Sequence, residues 1–487
     1  MREPSHPLHN RYYKCILRRK SEARNPRTQT REKLSHRKNV LTTCGLGRGT
    51  GEQGVGSTNP RSVLIVGAGP AGLCLARALT DRGLEVDIIE RQPEKALAEP
   101  VFDGREIALS HGSMNILERL DIWRRIPASE IHPLRRAHVS DGALEGFDID
   151  AGIFGKDRLG NFVSNHVIRV AAWQAVRDTR AVRVHTDAEV KAVERKGETF
   201  LVHLADGRQL TTPLLVAADS RFSQTRRLLG VPVAMHDFGK TMLVCRMHHE
   251  IPHESVAREW FGHGQTRALL PLDEHTVSLV LTVTGHEAAK LQELDEDAFA
   301  RDIQARLERR LGTMRLISTR NAYPLVATWA KQFVGPGFAL VGDAAVGMHP
   351  VTAHGFNLGL ASADRLAAAL GDALARQRGV ADSAALARYQ RKHRAGALPL
   401  FLGTGMIVGL YTDDRPLTQP LRHAVMSGMR QLQPLRDFLA AAVVDAPPPE
   451  VLLGLMRSAV RFDPRPLSHQ GEPALTDSDV FFVRDTP

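Results

Sequence analysis

Cysteine is scarce in this chain of 487 residues, which has only four. Their positions, Cys15, Cys44, Cys74 and Cys245, give no CxxC pair. Four scattered thiols cannot provide the disulfide framework of a small secreted domain or a cysteine-built zinc site. The sequence therefore predicts a reduced, cytoplasmic protein with no metal site of that kind.

Long apolar runs are also missing. The uncharged stretch at 397–411 has 15 residues, fewer than the ~20 that a membrane-spanning helix needs. The amino-terminal end has no apolar core of the kind found in secretory signals. We predict that 397–411 is a buried helix closing a pocket, and the alternative is an apolar wall or a membrane-facing surface.

Negative charge is sparse at the amino-terminal end. Residues 1–60 hold 13 Lys and Arg against 4 Asp and Glu, a balance of +9 out of the +10 of the whole chain. The remaining +1 leaves the rest nearly neutral, which argues against a basic patch and a nucleic-acid partner. Residues 1–58 lack periodic apolar positions and are predicted to be a disordered basic leader. We interpret this leader as translated sequence ahead of a start near Val55, and an Arg-rich mitochondrial presequence is the alternative.

A strand, a glycine turn and a helix follow one another from position 63. The predicted binding residues in this unit are Gly67, Gly69, Pro70, Ala71 and Gly72, with Glu90 and Arg91 after the second strand. The first glycine permits the tight turn, the second lets the backbone approach a pyrophosphate, and the third allows contact between helix and strand. An acid about 20 residues further on, here Glu90, accepts hydrogen bonds from a ribose. The pattern predicts a dinucleotide-binding unit with phosphates at the helix N-terminus.

A second signature lies far downstream and indicates which dinucleotide is bound. A short apolar strand at 338–341 is followed by Gly342, Asp343 and Pro350, and a helix begins at Gly355, Phe356 and Asn357. An acid at a strand end can accept hydrogen bonds from the ribityl chain of a flavin. A helix N-terminus offers free N–H groups and positive potential to the anionic edge of a reduced flavin. The two signatures together predict one FAD site.

On these motifs the chain resembles the para-hydroxybenzoate hydroxylase-type (class A) flavin monooxygenases from about residue 61 to its end. The middle motif of that family is matched at 214–230, which includes Asp219 and Arg226. Arg105 matches the family arginine that reaches toward the flavin and its pyrophosphate. The resemblance implies that Arg105 and Asp219 belong to the cofactor site.

Two positions depart from the family pattern. Ser220 stands where glycine is usual, and His354 stands where glutamine is usual. The resemblance places Pro350 and His354 beside the reacting part of the flavin, and we therefore include both as candidate catalytic residues. We expect His354 to bond the flavin edge without serving as the proton donor.

The resemblance, together with the strand and helix patterns, predicts an α/β fold. Its Rossmann-like FAD-binding domain is expected at 61–235 and 320–395, with an inserted antiparallel-sheet substrate domain at 236–319. A helical C-terminal region is expected at 396–487. Helix breaks are predicted at Pro399, Pro416, Pro420 and Pro434.

Within the family the likeness is greatest to the ubiquinone-biosynthesis hydroxylases, in particular the type that hydroxylates 5-demethoxyubiquinol. It is carried by Asp103 to Arg105, Ala108 to Ser110, Glu259 to Phe261, Leu269 to Leu272, Tyr323 to Leu325 and His349 to Asn357. It implies a polyprenyl quinol substrate, O2, NAD(P)H as electron donor and a flavin C4a-hydroperoxide that the ring attacks. Peripheral attachment at the inner membrane, or to a complex of ubiquinone biosynthesis, would fit such a substrate.

Three alternatives have different chemistry. Another small aromatic compound could be the substrate, or the chain could be a polyprenyl reductase of the same fold. A flavin-binding partner without activity is the third, if Ser220 and His354 have removed reactivity. A flavin-dependent halogenase is disfavoured because the four tryptophans stand alone, outside any WxWxIP element.

Several other residues have simpler interpretations. His248, His249 and His253 are predicted to be exposed or substrate-facing loop residues, and no metal site is expected. Trp260 and Phe261 are predicted to be sheet core. Ser110 is predicted to cap a helix.

Overall fold

The computed structural model describes residues 61–141, 144–152, 155–262, 265–350 and 354–412. The predicted leader and most of the predicted C-terminal region, with Pro416, Pro420 and Pro434, therefore lie outside the described residues. Helices and strands both contribute to the described part, and the α/β class is confirmed.

The helices are α1 (Pro70–Thr80), α2 (Glu94–Ala98), α3 (His111–Arg119), α4 (Asn165–Arg177), α5 (Gln224–Leu228), α6 (Gly285–Glu293), α7 (Glu296–Arg306), α8 (Gly355–Ala375) and α9 (Ser383–Thr412). The strands of the first half are β1 (Ser62–Val66), β2 (Glu85–Ile89), β3 (Glu106–Leu109), β4 (His132–Leu134), β5 (Arg136–Asp141), β6 (Leu144–Asp150), β7 (Gly160–Ser164), β8 (Val182–His185), β9 (Val190–Lys196), β10 (Thr199–Leu204), β11 (Gln209–Thr212) and β12 (Leu214–Ala217). The remaining strands are β13 (Val233–His249), β14 (Val256–Gly262), β15 (Gln265–Pro271), β16 (Thr276–Thr284), β17 (Met314–Leu316), β18 (Asn321–Ala330), β19 (Val334–Gly335), β20 (Phe338–Leu340) and β21 (Val346–Gly347).

A six-stranded sheet in the order β19-β20-β12-β1-β2-β8 forms the first layer. Its strands are parallel except for β19, which pairs antiparallel with β20. All five residues of β1 are buried, as expected for a parallel strand covered on both faces. Because β1, β12 and β20 are neighbours, their carboxyl ends bring the three sequence motifs to one edge of this sheet.

A nine-stranded sheet forms the second layer. Its order is β21-β18-β13-β16-β15-β14-β5-β6, with β17 on the end of β13. One face packs on α6 and α7 through a cluster that includes Trp260 and Phe299. The other face meets the three-stranded sheet β3-β7-β4 through a cluster that includes Phe261 and Phe162. Trp260 and Phe261 are both buried, so their predicted place in the sheet core is confirmed.

This sheet is wider than the range predicted for it, 236–319. It also contains β5 and β6 at 136–150 and β18 at 321–330. The β14–β5 pairing is parallel, in a sheet that is otherwise antiparallel. Strands so far apart in sequence leave no local sign of their pairing, and the division into domains stays a prediction.

Helix α9 continues through Pro399, so the predicted break there is wrong. A proline removes one N–H and crowds the preceding turn, but α9 is anchored on both sides of it. Tyr389 and Val408 are buried, and the ring of Phe401 lies 5.0 Å from Trp329. Across the described part of the chain, no helix is long and apolar enough to cross a bilayer.

Candidate functional site

The glycine turn after β1 has the contacts that its sequence predicts. Gly67 has φ of +108°, and a Cβ there would lie 2.6 Å from the carbonyl oxygen of Ala218. A Cβ on Gly72 would lie 2.0 Å from the carbonyl oxygen of Gly67. These two glycines are therefore required by the protein's own packing. A Cβ on Gly69 would meet nothing within 4 Å, so that glycine faces open space where a ligand can approach the backbone.

Helix α1 begins beside this space. Its N-cap is Gly69, which has no side chain to cap the helix, and Pro70 occupies the first turn. Glu90 accepts hydrogen bonds from the backbone N–H of Ala68 at 2.8 Å and of Gln92 at 2.9 Å. A carboxylate has about four acceptor positions, so Glu90 retains capacity for a ribose. The exposed Arg91 follows it at the end of the strand.

The second half of the predicted site packs directly on the first. Gly342 has φ of +61°, and a Cβ there would lie 2.9 Å from the Cβ of Ala71 on α1. Asp343 accepts hydrogen bonds through Oδ2 from Nε and Nη2 of Arg221, at 3.3 and 3.1 Å. Arg221 also donates to the carbonyl oxygen of Met348 at 3.1 Å. Arg221 thus fixes both Asp343 and the segment leading to Pro350, a role that the sequence interpretation missed.

Side-chain hydrogen bonds hold the middle motif together and connect it to the last motif. The Asp219 carboxylate accepts hydrogen bonds from the Ser223 hydroxyl and from the Thr225 N–H. Ser220 has φ of +83°, in the left-handed region where glycine is favoured. The buried Arg226 donates to the carbonyl oxygen of Ala344 at 2.9 Å, which ties this motif to the last one.

Arg105 lies between the two halves. Its guanidinium pairs with Asp103 at 2.6 Å and lies 5.5 Å from the centre of the Tyr323 ring. Burial acts to lower the pKa of Arg105, but the charges of Asp103 and Asp343 raise it above its usual value. The Tyr323 hydroxyl donates to the carbonyl oxygen of Asp103 at 2.8 Å, which fixes this loop against the nine-stranded sheet.

Arg169 on α4 is a second cation that the sequence interpretation missed. Burial lowers its pKa, while the charges of Asp103 and Glu90 act in the opposite direction. It also donates to Oε1 of Gln92 at 3.3 Å. Arg105 and Arg169 both interact with the charge of Asp103, Arg105 also with that of Asp343 and Arg169 also with that of Glu90, so the two cations are available to a pyrophosphate.

Helix α8 begins at Gly355, and its first turn holds several of the predicted site residues. His354 is the N-cap, with its side chain half-buried, and a Cβ on Gly355 would meet nothing within 4 Å. Phe356 is half-buried in the first turn. Asn357 reaches back to β3, where it donates to the carbonyl oxygen of Ala108 at 2.8 Å and accepts from the N–H of Ser110. Asn357 thus holds the helix N-terminus in place.

Ser110 caps α3 as predicted, since its hydroxyl accepts a hydrogen bond from the N–H of Ser113. It is therefore a structural residue.

An apolar cluster on the nine-stranded sheet lies next to His349. It contains Met242, Val244 and Leu325, with Phe238, Val280 and Tyr323 packed against them. The Phe238 ring meets His349 edge-on at 4.8 Å, and the Tyr323 ring lies against Arg105. Burial, followed by the charge of Arg221, lowers the pKa of His349 to about 4, which makes it neutral at pH 7. The cluster thus extends from Arg105 to His349, and these two residues flank the predicted position of the flavin.

The histidine cluster differs from its prediction. His248 and His249 belong to strand β13, and His249 and His253 are buried. Their imidazoles bond backbone carbonyls, His249 that of Ile251 and His253 that of Asp273. The prediction of exposed or substrate-facing loop residues is therefore wrong for these two, because backbone partners allow them to be buried. Among the described residues, no group of His, Cys, Asp and Glu could hold a metal ion.

The residues present fit FAD. Gly69 and Gly355 face open space at the starts of α1 and α8, and Arg105 and Arg169 bring positive charge close to Asp343 and Glu90, respectively. Glu90 can serve a ribose, and Asp343 can serve a ribityl chain through Oδ1, which has no hydrogen bond within the described ranges. Two helix N-termini are suited to the pyrophosphate and the flavin edge.

Comparison with known proteins identifies the family of the chain. The FAD binding domain family matches residues 61–399. The ubiquinone hydroxylase UbiM of Neisseria meningitidis is 45% identical over 382 residues, which cover 77% of this chain and 83% of that protein. The 3-demethoxyubiquinol 3-hydroxylase of Escherichia coli is 29% identical over 368 residues, covering 75% of this chain and 93% of that enzyme.

Among solved structures, p-nitrophenol 4-monooxygenase PnpA from Pseudomonas putida is similar with a TM-score of 0.63. It is 17% identical and covers 81% of this chain and 97% of its own. That likeness concerns the fold. Taken with the sequence matches, it shows that the chain belongs to the class A FAD-dependent monooxygenases, in the family that includes the ubiquinone hydroxylases.

Proposed function

We propose that the protein hydroxylates the aromatic ring of a polyprenyl quinol or phenol intermediate of ubiquinone biosynthesis, with 5-demethoxyubiquinol as the specific substrate. The observation that carries the proposal is the apolar surface between Arg105 and His349, where the partly accessible Phe238, Val280 and Tyr323 pack on the apolar cluster. A ring held there would lie between the sheet and the flavin. The similarity to ubiquinone hydroxylases supports the same substrate class.

The charge balance on this face favours a neutral ring. Arg246 on β13 follows Val244 by two residues and lies on the same face of the strand. Its guanidinium contacts Oε1 of the fully buried Glu106 at 2.9 Å and also bonds the Ser164 hydroxyl. Because this charge is already neutralised, it is poorly placed to bind a substrate carboxylate. A quinol or phenol needs no such cation.

FAD, when bound, supplies the redox and oxygen-activating chemistry. The protein's part is to hold the ring and exclude water. Phe238 and Tyr323 close the apolar cluster from two sides, and the Tyr323 hydroxyl is fixed by Asp103. Pro350 and His354 are proposed to shape the flavin edge, and proton transfer is not assigned to His354. NAD(P)H is proposed as electron donor.

Attachment to a lipid surface is proposed for delivery of a polyprenyl substrate. Support comes from α9, where Leu398, Leu402 and Met406 are 44%, 54% and 71% exposed at a spacing of four residues. They form one apolar row along the helix. The predicted buried helix at 397–411 is therefore buried on one face only, with Ala397 and Val408 on the covered side.

Oxygen uptake in the presence of short-chain 5-demethoxyubiquinol tests the proposed function. We expect one O2 and one NAD(P)H consumed for each hydroxylated product. A polyprenyl reductase would instead form a saturated chain under anaerobic conditions. Formation of that product, with no substrate-dependent oxygen uptake, would refute the hydroxylase proposal.

A further inference from the structure

We propose that Glu259 recognises an oxygen substituent of the substrate ring, so that the site takes neutral hydroxylated or methoxylated rings and rejects ring carboxylates. The inference rests on the proposed function and specifies its substrate class. It concerns a residue on β14, outside every cofactor motif.

Glu259 lies on the face of the nine-stranded sheet that carries the apolar cluster. Side chains alternate between the faces of a strand. Trp260 packs with α6 and α7 on one face, whereas Ala257 and Phe261 pack toward the three-stranded sheet on the other. Glu259 therefore shares the face of Ala257 and Phe261.

Strand pairing connects Glu259 to the apolar cluster. Val244 is opposite Val280, Val280 is opposite Ala268, and Ala268 is opposite Glu259. Neighbouring strands are about 4.8 Å apart, so Glu259 lies roughly 10 Å from Val280 along this row. A substituted ring lying over Ala268 spans that interval.

Part of this row is accessible. Val280, Ala268 and Glu259 are each partly accessible, as is Leu270 beside Ala268, whereas Val244 at the end of the row and Thr266 and Phe261 on one side of it are buried. The small Ala268 side chain leaves room above the centre of the row. The Glu259 side chain keeps some accessible surface, although strands β15 and β5 pair with β14 on its two sides.

The Glu259 carboxyl has no hydrogen bond or ion pair within the described part of the chain. Glu106, a buried acid on β3, differs in this respect because it bonds Arg246 and Ser164. Burial raises the pKa of Glu259 to about 8. At neutral pH the group is mostly protonated, so it can donate to a methoxy or phenolic oxygen and accept from a hydroxyl. A ring carboxylate would be buried here without a cation, which is unfavourable.

The test compares Glu259→Gln, which retains a donor and an acceptor, with Glu259→Leu, which retains neither. Glu274→Gln, in the exposed turn between β15 and β16, is the control. The probes are a short-chain methoxylated hydroquinone and 4-hydroxybenzoate, and binding is followed through the flavin spectrum of the FAD-loaded protein. Binding needs no turnover, so the proposed function can fail while this inference is still tested.

We expect Glu259→Leu to weaken hydroquinone binding at least tenfold and Glu259→Gln to change it less than threefold, with FAD content unchanged in both. Wild-type affinity for the hydroquinone should fall as the pH rises from 7 to 9, while the Gln variant should show no such fall. Unchanged binding in the Leu variant, or the same pH dependence in the Gln variant, would overturn the inference. If the Leu variant does not fold, the pH dependence of hydroquinone affinity in the wild type and in the Gln variant tests the inference without it.

Discussion

At the scale of single residues, the site depends on side chains and glycines whose tasks can be separated. Asp343 is an example, because its Oδ2 accepts hydrogen bonds from Arg221. Its Oδ1 can then accept a hydrogen bond from a ligand. Ser220 is another, because it occupies a backbone conformation that disfavours any residue with a Cβ.

Replacing Asp343 by alanine should remove bound FAD. The change deletes the proposed ribityl acceptor, so that hydroxyls of a bound ribityl chain are left unpaired, at a cost of about 1–3 kcal/mol for a buried polar group left unsatisfied. The flavin absorbance of the purified protein gives the measurement. Asp302→Ala, which removes an arginine-paired carboxylate on α7, is the control and should keep the flavin.

Replacing Ser220 by glycine should stabilise the protein by about 0.5–1 kcal/mol. The left-handed conformation costs a residue with a Cβ about 1–2 kcal/mol, and the greater entropy of glycine in the unfolded chain offsets part of the gain. Urea denaturation measures the difference. Ser220→Ala keeps the Cβ and should show no such gain, and equal stabilisation by both variants would contradict the explanation.

At the scale of elements, the strand-turn-helix unit at the start of the described chain was predictable because its signals are local. Val63 to Val66 are apolar and buried, and the glycines follow at once. The width of the nine-stranded sheet was not predictable. The partners of β14 and β13 lie at 136–141 and 321–330, and pairing over such separations leaves no pattern in either segment.

The site shows the same contrast. The glycines, Glu90 and Asp343 occur at motif positions, but Arg169 resembles an ordinary exposed cation on a helix. Its relation to Glu90 and Asp103 exists only once α4 packs beside the turn. Arg221 stood inside a recognised motif, yet only the fold shows that it pairs with Asp343, 122 positions away.

The glycine turn provides a prediction in which folding and cofactor binding separate. Gly69→Ala should fold normally but bind FAD at least tenfold more weakly, because its methyl group enters the space left for the pyrophosphate. Gly72→Ala should lower the melting temperature of the FAD-free protein, because its Cβ would overlap the carbonyl oxygen of Gly67. Calorimetry of the FAD-free forms, followed by flavin titration, distinguishes the two effects. A Gly69→Ala variant with wild-type affinity would show that the open space is not the pyrophosphate site.

At the scale of the whole molecule, stability should depend on the pH through buried histidines. His393 on α9 is buried against Tyr389 and accepts a hydrogen bond from Arg365. Burial, followed by the charge of Arg365, lowers its pKa from the ordinary 6.5 to about 3. The unfolded chain therefore takes up a proton from about pH 6.5 downward, while the folded chain does not until about pH 3, and stability is lost across that window.

At pH 5 this single group should lower the free energy of unfolding by about 2 kcal/mol relative to pH 8. Urea denaturation at the two pH values measures the loss. His393→Gln removes the titrating group and should reduce the loss by a similar amount, even if the variant is less stable at pH 8. An unchanged loss in that variant would show that His393 does not titrate as described.

The central claim is that two separated motifs and an apolar sheet face form one FAD site that hydroxylates a neutral polyprenyl ring. Mass spectrometry of the product formed from short-chain 5-demethoxyubiquinol under ¹⁸O2, with NAD(P)H and the FAD-loaded protein, tests this claim most directly. The account predicts a ring-hydroxylated product that carries one ¹⁸O atom. A product without ¹⁸O, or NAD(P)H oxidation that yields only hydrogen peroxide, would contradict it.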